Sequence, residues 1–241
     1  MDKNWQAQWI MDPEFHGLTP VNVFHRELED SDLPPHREDL KNHHMLVRKT
    51  FKLSSTTEDG KIFITADDYY KLYINGEFVG QGPAPSYYFN YYYNCFDISD
   101  YLQEGENVIA VHLYYQGLIN RVWNSGDYRQ GMIAELLVED ELLIKSDASW
   151  KYKISQAYKS DGTIGYDTQF LENIDSRLID YNWNQLNYDD SDWNQVLENV
   201  SDDHRLQSQP TPPLQVYEIE PEKIEKINPG HYFIDMGQEI T

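Results

Sequence analysis

Asn75 and Gly76 stand between two short runs rich in aromatic and β-branched residues, Tyr70 to Ile74 and Glu77 to Gly80. Both residues tolerate positive φ, which a type I′ turn demands at its two central positions, and that turn carries the same twist as the strands it joins. The pair therefore predicts a tight β-hairpin over residues 69–79. Further on, residues 107–113 alternate: Ile109, Val111 and Leu113 point to one side, and Val108, Ala110 and His112 to the other. This period of two predicts a strand with one face on a core.

The same pattern predicts strands over 5–10, 46–53, 61–65, 132–138 and 142–145, the last two joined through the acidic turn Glu139-Asp140-Glu141. Asp147-Ala-Ser-Trp150 and Asp190-Ser-Asp-Trp193 each read as a polar turn in which the Asp bonds the backbone two residues on and the indole drops into the core. Trp183-Asn-Gln-Leu and Trp193-Asn-Gln-Val recur ten residues apart, too little sequence for a structural repeat. Pro34-Pro35 and the charged stretch to His44 read as an exposed connection, so His36, His43 and His44 are expected as loop histidines without the ligand spacing of a zinc site.

Gln209-Pro-Thr-Pro-Pro213 favours extended backbone and reads as a linker, followed by strands over 215–219 and 231–236. The expected layout is a first strand and connection over 1–44, a β-sandwich over 45–200, a linker over 201–213 and the start of a second β-domain over 214–241. The fold class is mostly β.

The chain carries 41 acidic and 19 basic side chains, a formal charge of −22. That charge repels phosphate backbones and anionic lipid, which excludes nucleic-acid and membrane-surface binding as partners. Cys95 has no cysteine to pair with, and the first residues lack a basic segment followed by an apolar one. A cytoplasmic location is the expectation.

The 19 Tyr outnumber 9 Phe and 6 Trp, and a Tyr ring offers an apolar face and a polar tip that suit a sugar as well as a half-buried sheet. The densest group of such residues lies in the loops over 115–130 and 165–172. Trp123, Asn124, Asp127, Tyr128, Arg129 and Asp167 supply stacking faces, amides and charged groups for sugar hydroxyls. The structural alternative is that Gly126, Gly131 and Gly165 serve turns and the polar groups tie the loops together.

Trp5-Gln-Ala-Gln-Trp-Ile10, Tyr114-Tyr-Gln-Gly-Leu-Ile119, Ser125-Gly-Asp-Tyr-Arg-Gln-Gly131, Gly165-Tyr-Asp-Thr-Gln-Phe170 and Asp235-Met-Gly-Gln-Glu239, in this order, resemble the N-terminal region of bacterial α-L-rhamnosidases. The resemblance covers nearly the whole chain. It implies a jelly-roll-like, galactose-binding-like antiparallel sandwich that accompanies a helical (α/α)₆ barrel carrying the catalytic carboxylates, so no catalytic residue is assigned here. It implies a rhamnose-containing carbohydrate and the catalytic barrel of a parent enzyme as partners. No cofactor is required, but some members use calcium in a rhamnose-binding sandwich, and Asp127, Asp167 and Glu172 are hard oxygen ligands of the type calcium prefers. A stand-alone carbohydrate-binding module and a scaffold without sugar contact are the rival readings.

Overall fold

The computed structural model describes residues 3–21, 36–119, 125–165 and 169–239. In chain order its strands are β1 (Ile10–Met11), β2 (His43–Leu53), β3 (Gly60–Asp67), β4 (Tyr69–Ile74), β5 (Glu77–Gly82), β6 (Tyr91–Asp97), β7 (Gly105–Tyr115), β8 (Gly131–Val138) and β9 (Glu141–Lys145). Then follow β10 (Lys151–Ile154), β11 (Tyr158–Ile164), β12 (Gln169–Ile174), β13 (Asn194–Gln195), β14 (Leu197–Glu198), β15 (Leu206–Ser208), β16 (Lys223–Asn228) and β17 (His231–Asp235). No helix of the described residues is long and apolar enough to cross a membrane.

Two sheets face each other. The first runs β14-β1-β8-β3-β6-β15, with β9 folded back on β8, and the second runs β13-β10-β2-β7-β4-β5. Between them Ile62 and Ile64 of β3 and Met132 and Leu136 of β8 meet Val47 of β2, Leu72 of β4 and Ile109, Val111 and Leu113 of β7. Each such side chain contributes about 1.5–3 kcal/mol by leaving water. The result is the expected mostly β sandwich. Its hairpin turns form as the sequence demands: Asn75 and Gly76 have φ of 52° and 92°, and Glu139 and Asp140 have 53° and 61°. Trp150 and Trp193 are both buried.

The second sheet is covered on its outer face as well, which alternation alone did not show. Val108 and Ala110 are fully buried because residues 176–193 lie across them, fastened to Arg48 of β2. The Arg48 side chain is 1% exposed; its Nε donates to Asp190 at 2.9 Å and its Nη1 to the carbonyl oxygens of Gln185, at 3.0 Å, and Trp183. Tyr188 and Trp193 pack over the guanidinium. Trp183 and Trp193, ten residues apart, stack at 6.4 Å in this cap.

Four expectations are corrected. His36, His43 and His44 are buried, the last two as the first residues of β2; pairing with Tyr115 and Tyr114 draws them into the sheet. Of residues 5–10 only Ile10 joins a ladder, since the amides of Gln6 and Ala7 donate to the buried Glu135 carboxylate instead. No strand forms over 215–219; β16 pairs with β17 across the Pro229-Gly230 turn, where Gly230 has φ of 80°, a closure shorter than any reaching back past Pro221. Finally, Leu206–Ser208 pairs in parallel with Tyr91–Tyr93, so the stretch read as the start of a linker adds a strand to the first sheet.

Candidate functional site

Alternation places His44 of β2, Tyr114 of β7 and Tyr69 of β4 side by side on the outer face of the second sheet, with Leu46, His112 and Lys71 in the next row. The cap of residues 176–193 covers the other end of this face. Here the β11–β12 hairpin arches over it instead, and a cavity of about 630 Å³ remains, closed at its sides by residues 81–85 and 209–214.

The rings are ordered by stacking. His44 lies between Tyr114, at 4.3 Å and 18°, and Tyr158 of β11, at 3.8 Å and 10°. Tyr69 continues the series beside Tyr114 at 6.3 Å and 15°. His44 Nδ1 stands 3.0 Å from His112 Nε2, so one ring donates and the other accepts and both are neutral. Burial is the main cause, pushing His44 down to about 2 and His112 to about 3, and the Lys71 charge adds to it at both. Burial and then the charge of Asp68 push the Tyr69 and Tyr114 phenols up, so these remain O–H donors.

Gln116 also lines the cavity; it is 5% exposed, and its side-chain oxygen has no hydrogen-bond partner among the described residues. A buried amide oxygen without a donor costs about 1–3 kcal/mol, which a ligand hydroxyl would relieve. Flat rings, neutral imidazoles, phenols and the Gln116 amide oxygen around a cavity of this size make a surface for a polyhydroxylated ring: C–H faces stack on the aromatics while hydroxyls find donors and acceptors.

The site residues expected from sequence are distributed differently. Asp127 and Arg129 are buried in a charge cluster at the end of β3, where Arg129 donates to Asp127 at 2.8 Å and to Asp203 at 2.7 Å and lies over the Tyr88 ring. In the same cluster His204 bridges Asp67 and Asp202 at 3.0 and 2.8 Å. Asp68 accepts from the Gln116 backbone N–H at 2.6 Å and from the Ser125 hydroxyl. Burial first, then neighbouring carboxylates, raise Asp67 and Asp68 well above the usual carboxylate range.

Tyr128, at φ of 66°, stacks on His36 and accepts from the Arg37 amide, holding residues 36–40 in place. Glu172 of β12 is exposed and lines the cavity. Trp123, Asn124 and Asp167 lie outside the described residues. Among the described residues no group of three or more His, Cys, Asp or Glu is placed to hold a metal ion.

Sequence reasoning passed over His44, Tyr69, Lys71, His112, Tyr114 and Gln116. A signal was present in the alternation of residues 107–113, which set His112 on the face opposite Ile109, Val111 and Leu113. What alternation lacked was the register that brings three distant strands into one row.

A family model described as the α-L-rhamnosidase N-terminal domain matches residues 55–218. An α-L-rhamnosidase of Formosa agariphila is 28% identical over 213 residues, covering 80% of this chain and 22% of that protein. The crystal structure of a GH78 family rhamnosidase of Bacillus sp. GL1 superposes with a TM-score of 0.74 at 26% identity, over 92% of this chain and 22% of the other. The α-L-rhamnosidase of Dictyoglumus thermophilum gives 0.63 at 26% identity, over 97% and 26%. The chain thus spans about a quarter or less of the length of these relatives.

Proposed function

The chain belongs to the α-L-rhamnosidase N-terminal domain family, and from that premise we propose that it is the non-catalytic accessory region of an enzyme that hydrolyses terminal α-L-rhamnose, with the outer-face cleft as its glycan contact. The observation that carries the glycan contact is the cleft itself: the stacked rings of Tyr69, Tyr114, His44 and Tyr158 beside the Gln116 oxygen, unpartnered among the described residues. Glycoside hydrolysis uses two carboxyl groups flanking the scissile bond. Glu172 is the carboxylate among the described residues of the cleft lining, whereas Asp67 and Asp68 are engaged by His204, Ser125 and the Gln116 backbone N–H. The partner for the exposed apolar side chains of Val216, Tyr217, Ile224 and Ile234 is then the catalytic portion of the parent enzyme.

Calorimetric titration of the chain with L-rhamnose and rhamnose-containing oligosaccharides tests the reading. Binding that is lost in Tyr114→Ala and weakened in Gln116→Ala supports it. Binding unchanged in both variants moves the contact elsewhere, and the absence of binding to any of these sugars leaves the scaffold role. Repeating the titration after chelation, and with Asp127→Asn and Glu172→Gln, tests calcium.

A further inference from the structure

The charge of the cleft runs against that of the molecule. With 41 acidic and 19 basic side chains, many basic groups among the described residues pair with a carboxylate, as Lys3 does with Glu135, Arg48 and Lys151 with Asp190, and Lys153 with Asp180, whereas Lys49 bonds Ser149 and Lys226 lies over Tyr232. Lys71 and Lys159 both line the cleft and are exposed, and neither has a carboxylate oxygen within 4.0 Å among the described residues. Asp175, the acid that feels the charge of Lys159, is itself held by Arg177 at 2.8 and 2.6 Å.

Among the described residues, two cations and one carboxylate, Glu172, therefore line a cleft in a protein where acids outnumber bases about two to one. Lys71 lies on the floor opposite His112 in the β4–β7 register, while Glu172 hangs from the hairpin and acts on Tyr114 and Tyr158. The two are not paired with each other, so the space between them presents a cation to one end of a ligand and an acceptor to the other.

We propose that the cleft selects a sugar carrying an oxyanion, a uronic carboxylate or a sulfate ester, with the anion at Lys71 and hydroxyls turned toward Glu172. This rests on the reading of the cleft as a glycan site and specifies the class of glycan. Lys159 at the rim reinforces the same preference, and Glu172 opposes an anion seated in the reverse orientation. An exposed ion pair of this kind is worth up to about 1 kcal/mol, roughly a fivefold gain in affinity, and it weakens as salt screens it.

The test compares the whole chain's affinity for methyl glucuronide against methyl glucoside, and for a rhamnose sulfate against rhamnose, by calorimetry at low and high salt. The expected result is a several-fold preference for the anionic member that salt erases, that Lys71→Gln removes, that Lys71→Arg restores and that Glu172→Gln increases. Preference in the glucuronide pair alone identifies the carboxylate, and in the sulfate pair alone the sulfate. Neutral and anionic sugars bound equally, or a preference untouched by Lys71→Gln, overturn this inference and leave the glycan site standing. If no sugar of either kind binds, the glycan reading falls and takes the preference with it.

Discussion

Acidification should destabilise the fold, because the two histidines on the sheet face beneath the cleft are held neutral. In the unfolded chain a histidine titrates near 6.5; in the folded protein His44 and His112 are pushed down to about 2 and 3, burial being the first cause. The folded state thus binds fewer protons, so their contribution is complete above 6.5 and is lost as pH falls below that value toward 3. At pH 5 the unfolded state gains about 2 kcal/mol from protonating each ring, so the pair removes about 4 kcal/mol relative to pH 7.5. That is a large part of a domain's usual stability of about 5–15 kcal/mol.

The groups around the pair sharpen the expectation. Lys71 and His43 disfavour the added charge, and Glu172, which acts on Tyr114 and Tyr158 of the stack, is exposed on the hairpin. Asp67 and Asp68 have raised values and act in the opposite sense, favouring the folded state in acid, but a variant shares them with the parent chain and they cancel in the difference. Urea denaturation followed by tryptophan fluorescence at pH 7.5 and 5.0 should show the gap between the two pH values shrinking by about 2 kcal/mol in His112→Gln. A gap that stays the same in the variant refutes the argument.

Gly76→Ala should cost about 1–2 kcal/mol, since φ there is 92° and a Cβ would meet the Gln185 side chain; a thermal melt reads it. Arg48→Met should cost about 2–3 kcal/mol, less than a fully enclosed pair because Lys151 still holds Asp190, with Trp183 and Trp193 fluorescence shifting red as the cap of residues 176–193 loosens. Hydrogen exchange should be far faster in β16 and β17, where every residue is exposed, than in β7; equal protection would place the hairpin against the sandwich. A chromogenic rhamnoside should not be turned over by this chain, and turnover that survives repurification and disappears with Glu172→Gln would reverse the accessory reading.

What the sequence revealed was whatever depends on near neighbours. Asn75-Gly76 and Glu139-Asp140 specify their turns through φ alone, and the alternation along residues 107–113 names the core side of β7 without any knowledge of its partners. What it hid depends on distant chain. His43 and His44 follow a charged stretch and look like loop residues until β7 pairs with them. Val108 and Ala110 are buried by a cap 70 residues further on. The charge cluster shows the same limit: Asp127 and Arg129 look like ligands for a sugar when read beside Trp123, but the buried Arg129 is answered by Asp203, on the segment leading to β15, which local composition reads as linker.

The parallel pairing of β15 with β6 also determines how force would travel through the molecule. Beyond it, the Gln209 side-chain oxygen accepts from the Ala84 amide at 2.8 Å and from Asn94 at 3.0 Å. A pull along the chain from residues past 209 loads this clamp and the β15 bonds together, in shear, instead of peeling them one at a time. Thr211, Pro212 and Leu214, which form one side of the cleft, lie just outside the clamp. Tension applied through the exposed hairpin would therefore reach that wall of the cleft first and stop at Gln209, so the width of the cleft would respond to strain while the sandwich behind it kept its shape.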